Sequence, residues 1–386
     1  MRLPGTHAGP ERGDYEMRAV YLIRHGVPEY PAGDRVCLGR MDVPLADDGW
    51  TQARTLQGYF QDIPECIVVT SPLTRCRQTA SALSSEPIVC GGLIEVDMGM
   101  WTGLRFEEIH RRWPALYQRR GEDPVGVSPP GGESLADCRD RASAAFRQVL
   151  ADLPHSAAVA VVAHSAVIRG IISAHADSRT FAPPPPLGSI TQVLMEDGHA
   201  AAWSLPAMPE DLPSPVPDEH SCRALMEEYG TPAPVISHGA AVAEAAGEIC
   251  GRLRRQGIRL NEELILAGAR LHDIAKTEPR HARTGAIWLT EHGYVSAAAL
   301  VGNHMRLDPE AAGRWHESSV VFLADKLVQG TARVSLEERF SAAMGGDKRP
   351  YAEIRYRQAK TLLDMLENGE PSETPLPKSG GAHTGG

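Results

Sequence analysis

Short apolar runs recur along the first half of the chain and stop abruptly at polar residues. Ala19-Val20-Tyr21-Leu22-Ile23 stops at Arg24-His25-Gly26, Cys66-Ile67-Val68-Val69 stops at Thr70-Ser71-Pro72, and residues 157–163 stop at His164-Ser165. Unbroken apolar runs of this length, closed by a loop, are the pattern of strands buried on both faces. Between them, residues 49–60, 75–83 and 134–150 carry helical periodicity. Strands alternating with helices predict an α/β domain with a largely parallel sheet. In such sheets the functional groups gather beyond the carboxyl ends of the strands, and the polar residues just named fall there. A further strand-like segment, 189–195, follows the prolines at 183–186, which read as a loop inside the same domain.

The pattern changes after Trp203. Seven prolines fall within residues 204–234, a density that forbids a continuous helix and predicts an extended spacer separating two cores. From 218 to 366 nearly everything reads as helix. Asn261 is an N-cap with Glu262 and Glu263 in the first turn, and the stripe Leu264, Ala267, Leu271 and Ile274 carries that helix to about 276. The expected organisation is a flexible arm (1–17), an α/β domain (18–205), a Pro-rich linker (206–217), an all-α domain (218–366) and a disordered tail (367–386). A length of 386 residues suits two domains with linkers. The net charge of −10 argues against a nucleic-acid partner. Seven cysteines without a CxxC pair, no signal peptide and no membrane-length apolar run predict a cytoplasmic protein without a membrane partner.

The strand ends bring together the chemistry of phosphoryl transfer. A neutral imidazole, His25, can attack phosphorus, and the charge on the transferring oxygens then needs fixed cations and donors. Arg24 and Arg75 offer planar forks, His164 a further donor, and Glu95 is the nearest candidate to protonate the leaving oxygen. The second half holds six of the fifteen histidines between positions 238 and 316. His238, His272, Asp273, His281, His304 and Asp325 form an ordered series with apolar helical flanks, a donor set suited to divalent ions. On one helix the side chains of His272 and Asp273 diverge by about 100°. His238 and Asp325 would close a first cage, His281 and His304 a second, with Asp273 between them. Two such ions can activate water for in-line attack on phosphorus. His292 and His316 lack this context and read as surface residues.

The segments Leu22-Ile23-Arg24-His25-Gly26, 39–49 (GRMDVPLADDG), 71–80 (SPLTRCRQTA), 93–103 (LIEVDMGMWTG), Gly132-Glu133-Ser134 and 162–169 (VAHSAVIR) together resemble the histidine phosphatase superfamily, phosphoglycerate-mutase-like branch. The resemblance implies a three-layer α/β fold with His25 as phosphorylated nucleophile. It further implies that Arg24, Arg75 and His164 hold the phosphoryl group, that Glu95 is the acid/base, and that no cofactor takes part. The motifs look most like the α-ribazole-phosphatase type. Val27, Thr102 and Ser165 depart from the usual Glu, Glu and Gly, and bear on substrate rather than chemistry.

The series in the second half is similar to the HD-domain phosphohydrolases, above all the subgroup that splits dinucleoside polyphosphates. That implies His238, His272, Asp273 and Asp325 as primary ligands, His281 and His304 completing a site for two ions (Fe, Mn or similar), and Lys276 meeting substrate phosphate. Asn303-His304-Met305-Arg306 lacks the small polar residues usual there. The combined expectation is a bifunctional phosphohydrolase acting on a small phosphorylated metabolite and on a nucleotide, with a homo-oligomer left open. The alternatives are a catalytic phosphatase with a regulatory, nucleotide-sensing HD domain, or a mutase-type phosphotransferase.

Overall fold

The computed structural model describes residues 17–63, 66–175, 183–305, 307, 314–341, 343–345 and 349–368. The expected arm, apart from Met17, and the expected tail beyond Asn368 lie outside the described residues. Met17 is already a buried strand residue, and Glu367 and Asn368 end a helix.

The first half consists of β1 (Met17–Arg24), α1 (Asp47–Phe60), β2 (Ile67–Thr70), α2 (Thr74–Ser81), β3 (Ile88–Val89), α3 (Phe106–Arg112), α4 (Pro114–Glu122), α5 (Leu135–Asp152), β4 (Val159–Ala163), α6 (Ser165–His175), β5 (Ile190–Glu196) and β6 (His199–Trp203). The strands form one sheet in the order β3-β2-β4-β1-β5-β6. The first four run parallel, and β5 and β6 are antiparallel. Alternation along β1 sorts its side chains: Val20 and Leu22 pack under α5 and α6, while Ala19, Tyr21 and Ile23 face α1 and α2. This is the three-layer arrangement that the resemblance implied.

The second half consists of α7 (Glu219–Glu228), α8 (Ala233–Arg255), α9 (Glu262–Leu271), α10 (His281–Glu291), α11 (Val295–Asn303), α12 (Glu317–Lys326), β7 (Val328–Gln329), β8 (Ala332–Arg333), α13 (Leu336–Phe340) and α14 (Arg349–Asn368). It is helical apart from the small β7–β8 hairpin. Asn261 caps α9 by accepting the N–H of Leu264 at 3.1 Å. The helix ends at Leu271 rather than 276. Ile274 prolonged the apolar stripe because it is buried in the turns that follow, not because it is helical. Among the described residues no helix is long and apolar enough to cross a membrane.

The spacer does not keep the cores apart. Pro215, Val216 and Pro217 are buried, Ala207 bridges to Ile190 of β5, and one apolar cluster runs from Tyr21, Ile190 and Leu194 into α11 and α12. Helix α11 lies on the sheet face that α1 leaves open. Tyr21 Oη is 2.7 Å from Ser296 Oγ, and Val295 N–H donates to Gln192 Oε1 at 3.1 Å. The Asn303 amide pairs with both the N–H and the carbonyl of Met17, at 2.8 and 2.7 Å. Prolines exclude helix, but an extended proline segment packs as well as any other when its side chains meet apolar surface.

Two candidate active sites

Parallel register sets the ends of β1, β2 and β4 side by side, so residues distant in sequence meet in one place. β1 delivers Arg24 and His25, β2 delivers Ser71 and leads into α2 with Arg75, and β4 delivers His164. Gly26 is needed where β1 turns away, because a Cβ there would lie 2.7 Å from the carbonyl oxygen of Gly49.

His25 Nδ1 is 2.7 Å from the carbonyl oxygen of Gly26. A carbonyl only accepts, so Nδ1 carries the proton and Nε2 presents its lone pair. Arg75 Nε donates toward that Nε2 at 3.3 Å, and the His164 ring stands across from it with centroids 5.1 Å apart. Burial, and then the charge of Arg75, push the His25 pKa down to about 3. His164 is also held well below 6.5, by burial and by His25 and the arginines. Both imidazoles are therefore neutral, as a nucleophile must be. Their folded values lie below the unfolded value of 6.5, so the unfolded chain takes up protons first as pH falls. This share of stability is complete above 6.5 and is lost as pH drops toward 3. The urea midpoint should fall with acidification through this window, and less steeply in His25→Ala.

The forks behave differently from expectation. Arg75 gives Nη1 to the carbonyl of Met41 at 2.8 Å and Nη2 to that of Gly39 at 2.9 Å, so only its Nε edge faces His25. Arg24 Nη1 donates to the carbonyl of Pro185 at 2.6 Å, which makes the proline run a wall of the site. Its Nε is buried without a hydrogen-bond partner, a donor set for an incoming acceptor. Glu95 follows the short 3-10 turn Gly91–Leu93. Removal from water raises its pKa, against the pull of the Val96 N–H and of Arg75, Arg24 and Arg141. A carboxyl whose pKa is raised by burial suits a general acid. Ser71 was missed from sequence: its Oγ lies 2.7 Å from His164 Nε2, and Thr70-Ser71-Pro72 reads only as a strand terminator.

The second site lies among α8 to α12. α8 and α9 touch closely at Gly239, where a Cβ would sit 2.4 Å from the carbonyl oxygen of Arg270. Because α9 stops at Leu271, His272 and Asp273 stand on a turn and diverge. His272 joins His238 and Asp325, while Asp273 joins His281 and His304, and in each group the ligand atoms lie within 4.8 Å of one another. Asp273 Oδ1 is 3.3 Å from His281 Nε2 and 3.7 Å from His304 Nε2, and its Oδ2 is 3.5 Å from His272 Nε2. Asp325 Oδ1 is 3.4 Å from His238 Nε2 and 3.7 Å from His272 Nε2.

Three imidazoles are fixed from behind. Nδ1 of His238, His272 and His304 lies 2.6–2.8 Å from the carbonyls of Gly330, Ala269 and Val301, which leaves each Nε2 lone pair facing the cluster. The tip of the β7–β8 hairpin thus orients His238, a role no sequence signal indicated. His272 Nε2, Asp273 Oδ1 and His281 Nε2 are buried and make no hydrogen bond. Buried lone pairs of this kind call for a Lewis acid, and the N/O donor set fits divalent first-row ions. Both carboxylates are held well below their usual range. Burial opposes this, while the neighbouring imidazoles and, for Asp325, the Lys326 ammonium enforce it. Lys276 Nζ sits 2.9 Å from Asp273 Oδ2. His292 and His316 are half-buried rather than on the surface; His292 Nε2 is 2.9 Å from Tyr229 Oη, and His316 precedes α12.

Comparison with known proteins separates the same two halves. Residues 20–204 match the histidine phosphatase superfamily (branch 1), and residues 235–329 match the HD domain. A 6-phosphofructo-2-kinase/fructose-2,6-bisphosphatase of Caenorhabditis elegans is 34% identical over 162 residues, 40% of this chain and 34% of that protein. The bifunctional protein Rv2228c of Mycobacterium tuberculosis is 34% identical over 158 residues, 40% of this chain and 43% of that protein. The chain thus spans less than half the length of either. Phosphoserine phosphatase 1 of Hydrogenobacter thermophilus is 31% identical over 162 residues, 41% of this chain and 76% of that protein.

Proposed function

Because the chain belongs to the histidine phosphatase superfamily over its first half and carries an HD domain in its second, we propose that it is a bifunctional phosphohydrolase. The first half hydrolyses a small phosphomonoester, of which α-ribazole-5'-phosphate is the type its motifs favour. The observation that carries this reading is the unprotonated Nε2 of a buried His25, aimed between Arg75 and His164.

The steps follow from the groups present. His25 Nε2 attacks phosphorus in line, and the P–O bond to the leaving oxygen breaks as Glu95 passes it a proton. Arg24 and Arg75 supply positive charge, and the neutral His164 a hydrogen bond, to the non-bridging oxygens. Glu95, now a carboxylate, takes a proton from water as the water oxygen attacks the phosphohistidine. Phosphate leaves and His25 is regenerated. Acid-labile phosphate trapped on His25 after rapid alkaline quenching tests this directly, and its absence under turnover would refute the covalent route.

Replacing Arg75 by lysine keeps the charge but not the three-way grip. One ammonium cannot meet both loop carbonyls and face His25, so kcat should fall by about 10²-fold with a smaller change in KM. A change confined to KM, measured by steady-state kinetics, would reduce Arg75 to a substrate-gathering role.

The second half would hold one divalent ion through His238, His272 and Asp325 and another through Asp273, His281 and His304, with Asp273 turned toward both. Such ions, when bound, polarise phosphoryl oxygens and lower the pKa of water. Here the chain's own part is to fix the donors: the Nδ1–carbonyl bonds orient the rings, and Lys276 and Lys326 pair with Oδ2 of Asp273 and of Asp325. The HDIAK sequence at 272–276 favours a nucleotide or related phosphoester as substrate.

A further inference from the structure

Three consecutive residues, 39–41, reach two catalytic groups at once. The carbonyls of Gly39 and Met41 accept both terminal nitrogens of Arg75. The side chain of the residue between them, Arg40, turns the other way and donates through Nε to the main-chain carbonyl of Glu95 at 3.0 Å. Its Nη1 meets Asp97 Oδ2 at 3.2 Å and its Nη2 meets Glu133 Oε2 at 3.3 Å. Behind the same segment, Arg141 pairs with both oxygens of Glu133 at 2.9 Å and donates to the carbonyls of Gly92 and Ile94. Glu133 is the hub: it sits between the two arginines and also accepts the N–H of Asp97 at 3.3 Å. The Glu95 segment is a loop, held by no ladder of strand hydrogen bonds, so these guanidinium contacts fix its main chain, and the Val96 N–H, donating to Glu95 Oε1 at 2.9 Å, holds the carboxyl on it.

We propose that Arg40 is a positioning residue for the phosphatase half, holding the acid Glu95 at a set reach from Arg75 and from the phosphorus that His25 attacks. This rests on the assignment of Glu95 as the acid in the reading above. Arg40 is partly exposed, and each ion pair on its own would contribute little to stability. What the three contacts together supply is geometry, and a displacement of about an ångström at an acid is enough to lower the rate.

A leaving-group comparison isolates this role. p-Nitrophenolate departs without a proton, whereas the alkoxide of β-glycerophosphate needs one from Glu95. In the full-length protein, Arg40→Met should lower kcat on β-glycerophosphate about tenfold more than on p-nitrophenyl phosphate, with KM for both within about twofold of wild type. Glu95→Gln should show the same bias, more strongly. Arg40→Lys, which keeps the charge but meets only one of three acceptors, should show it in smaller measure, and Arg141→Met should show it by freeing the segment from behind. These two variants stand in wherever R40M fails to give a cooperative melt. Equal losses on both substrates, no loss on either, or an effect confined to KM would overturn the proposal. An E95Q protein without leaving-group bias would instead indict the acid assignment and take this inference with it. That result is distinct from a bias present in E95Q and absent in R40M.

Discussion

Replacing His25 by alanine is expected to abolish phosphomonoesterase activity, by several orders of magnitude in kcat, while the protein stays folded. The side chain removed holds the nitrogen lone pair that faces the first site: its Nδ1–H is spent on Gly26 and Arg75 Nε touches its Nε2 only at 3.3 Å, whereas His164 Nε2 is tied to Ser71. No neighbouring group can take its place, because Cys76, the nearest thiol to His164, is buried with its pKa pushed up above the thiol range. The wild-type activity should also survive EDTA, since every group the mechanism uses is a side chain. Steady-state rates on p-nitrophenyl phosphate, with and without chelator, give the answer. An H25A protein of near-wild-type rate, or a wild-type rate that collapses in EDTA, would rule out the phosphohistidine route.

The second large effect concerns Asp273. Its two oxygens face different histidines, Oδ1 toward His281 and His304 and Oδ2 toward His272 and Lys276. Asp273→Ala should therefore deplete both metal positions, whereas His304→Ala should lower the second and leave His238, His272 and Asp325 holding the first. Elemental analysis of the full-length protein after saturation with Mn²⁺ or Fe²⁺ should find about two ions in the wild type, about one in H304A and less than one in D273A. One ion in the wild type, with H304A indistinguishable from it, would leave a mononuclear centre. Full length is the right material, because the helical half shares its core with the sheet. For the same reason D273A should lower the temperature at which the phosphatase half inactivates, even though its rate at 25 °C is unchanged.

Much of this was legible in the chain. The runs ending at Arg24-His25, Ser71 and His164 announced parallel strands whose ends converge, because strands buried on both faces leave no polar position until they stop. The metal-ligand series was legible in order and as two cages sharing Asp273, but the turn that lets His272 and Asp273 diverge was not: α9 ends at Leu271, and the buried Ile274 concealed that end by extending the stripe. The grip of Gly39 and Met41 on Arg75, and the service of Gly330 to His238, involve main-chain carbonyls, which every residue possesses and no sequence marks. Proline density was a sound guide to the absence of an α-helix between 204 and 217, where only a 3-10 turn at Pro209–Asp211 forms. It carried no information on packing, since an extended segment can lie in solvent or against a core.

The joint between the halves decides how the two chemistries can be handled apart. A cut in the proline stretch would strip α11 from the sheet and lay bare Tyr21, Ile190 and Leu194, an adhesive apolar surface on one product, and would leave α11 without its sheet partners on the other. Dissecting this protein with scissors is therefore a poor route to either enzyme. Silencing one active site by a single replacement in the intact chain leaves the shared interior closed and the other site in working order.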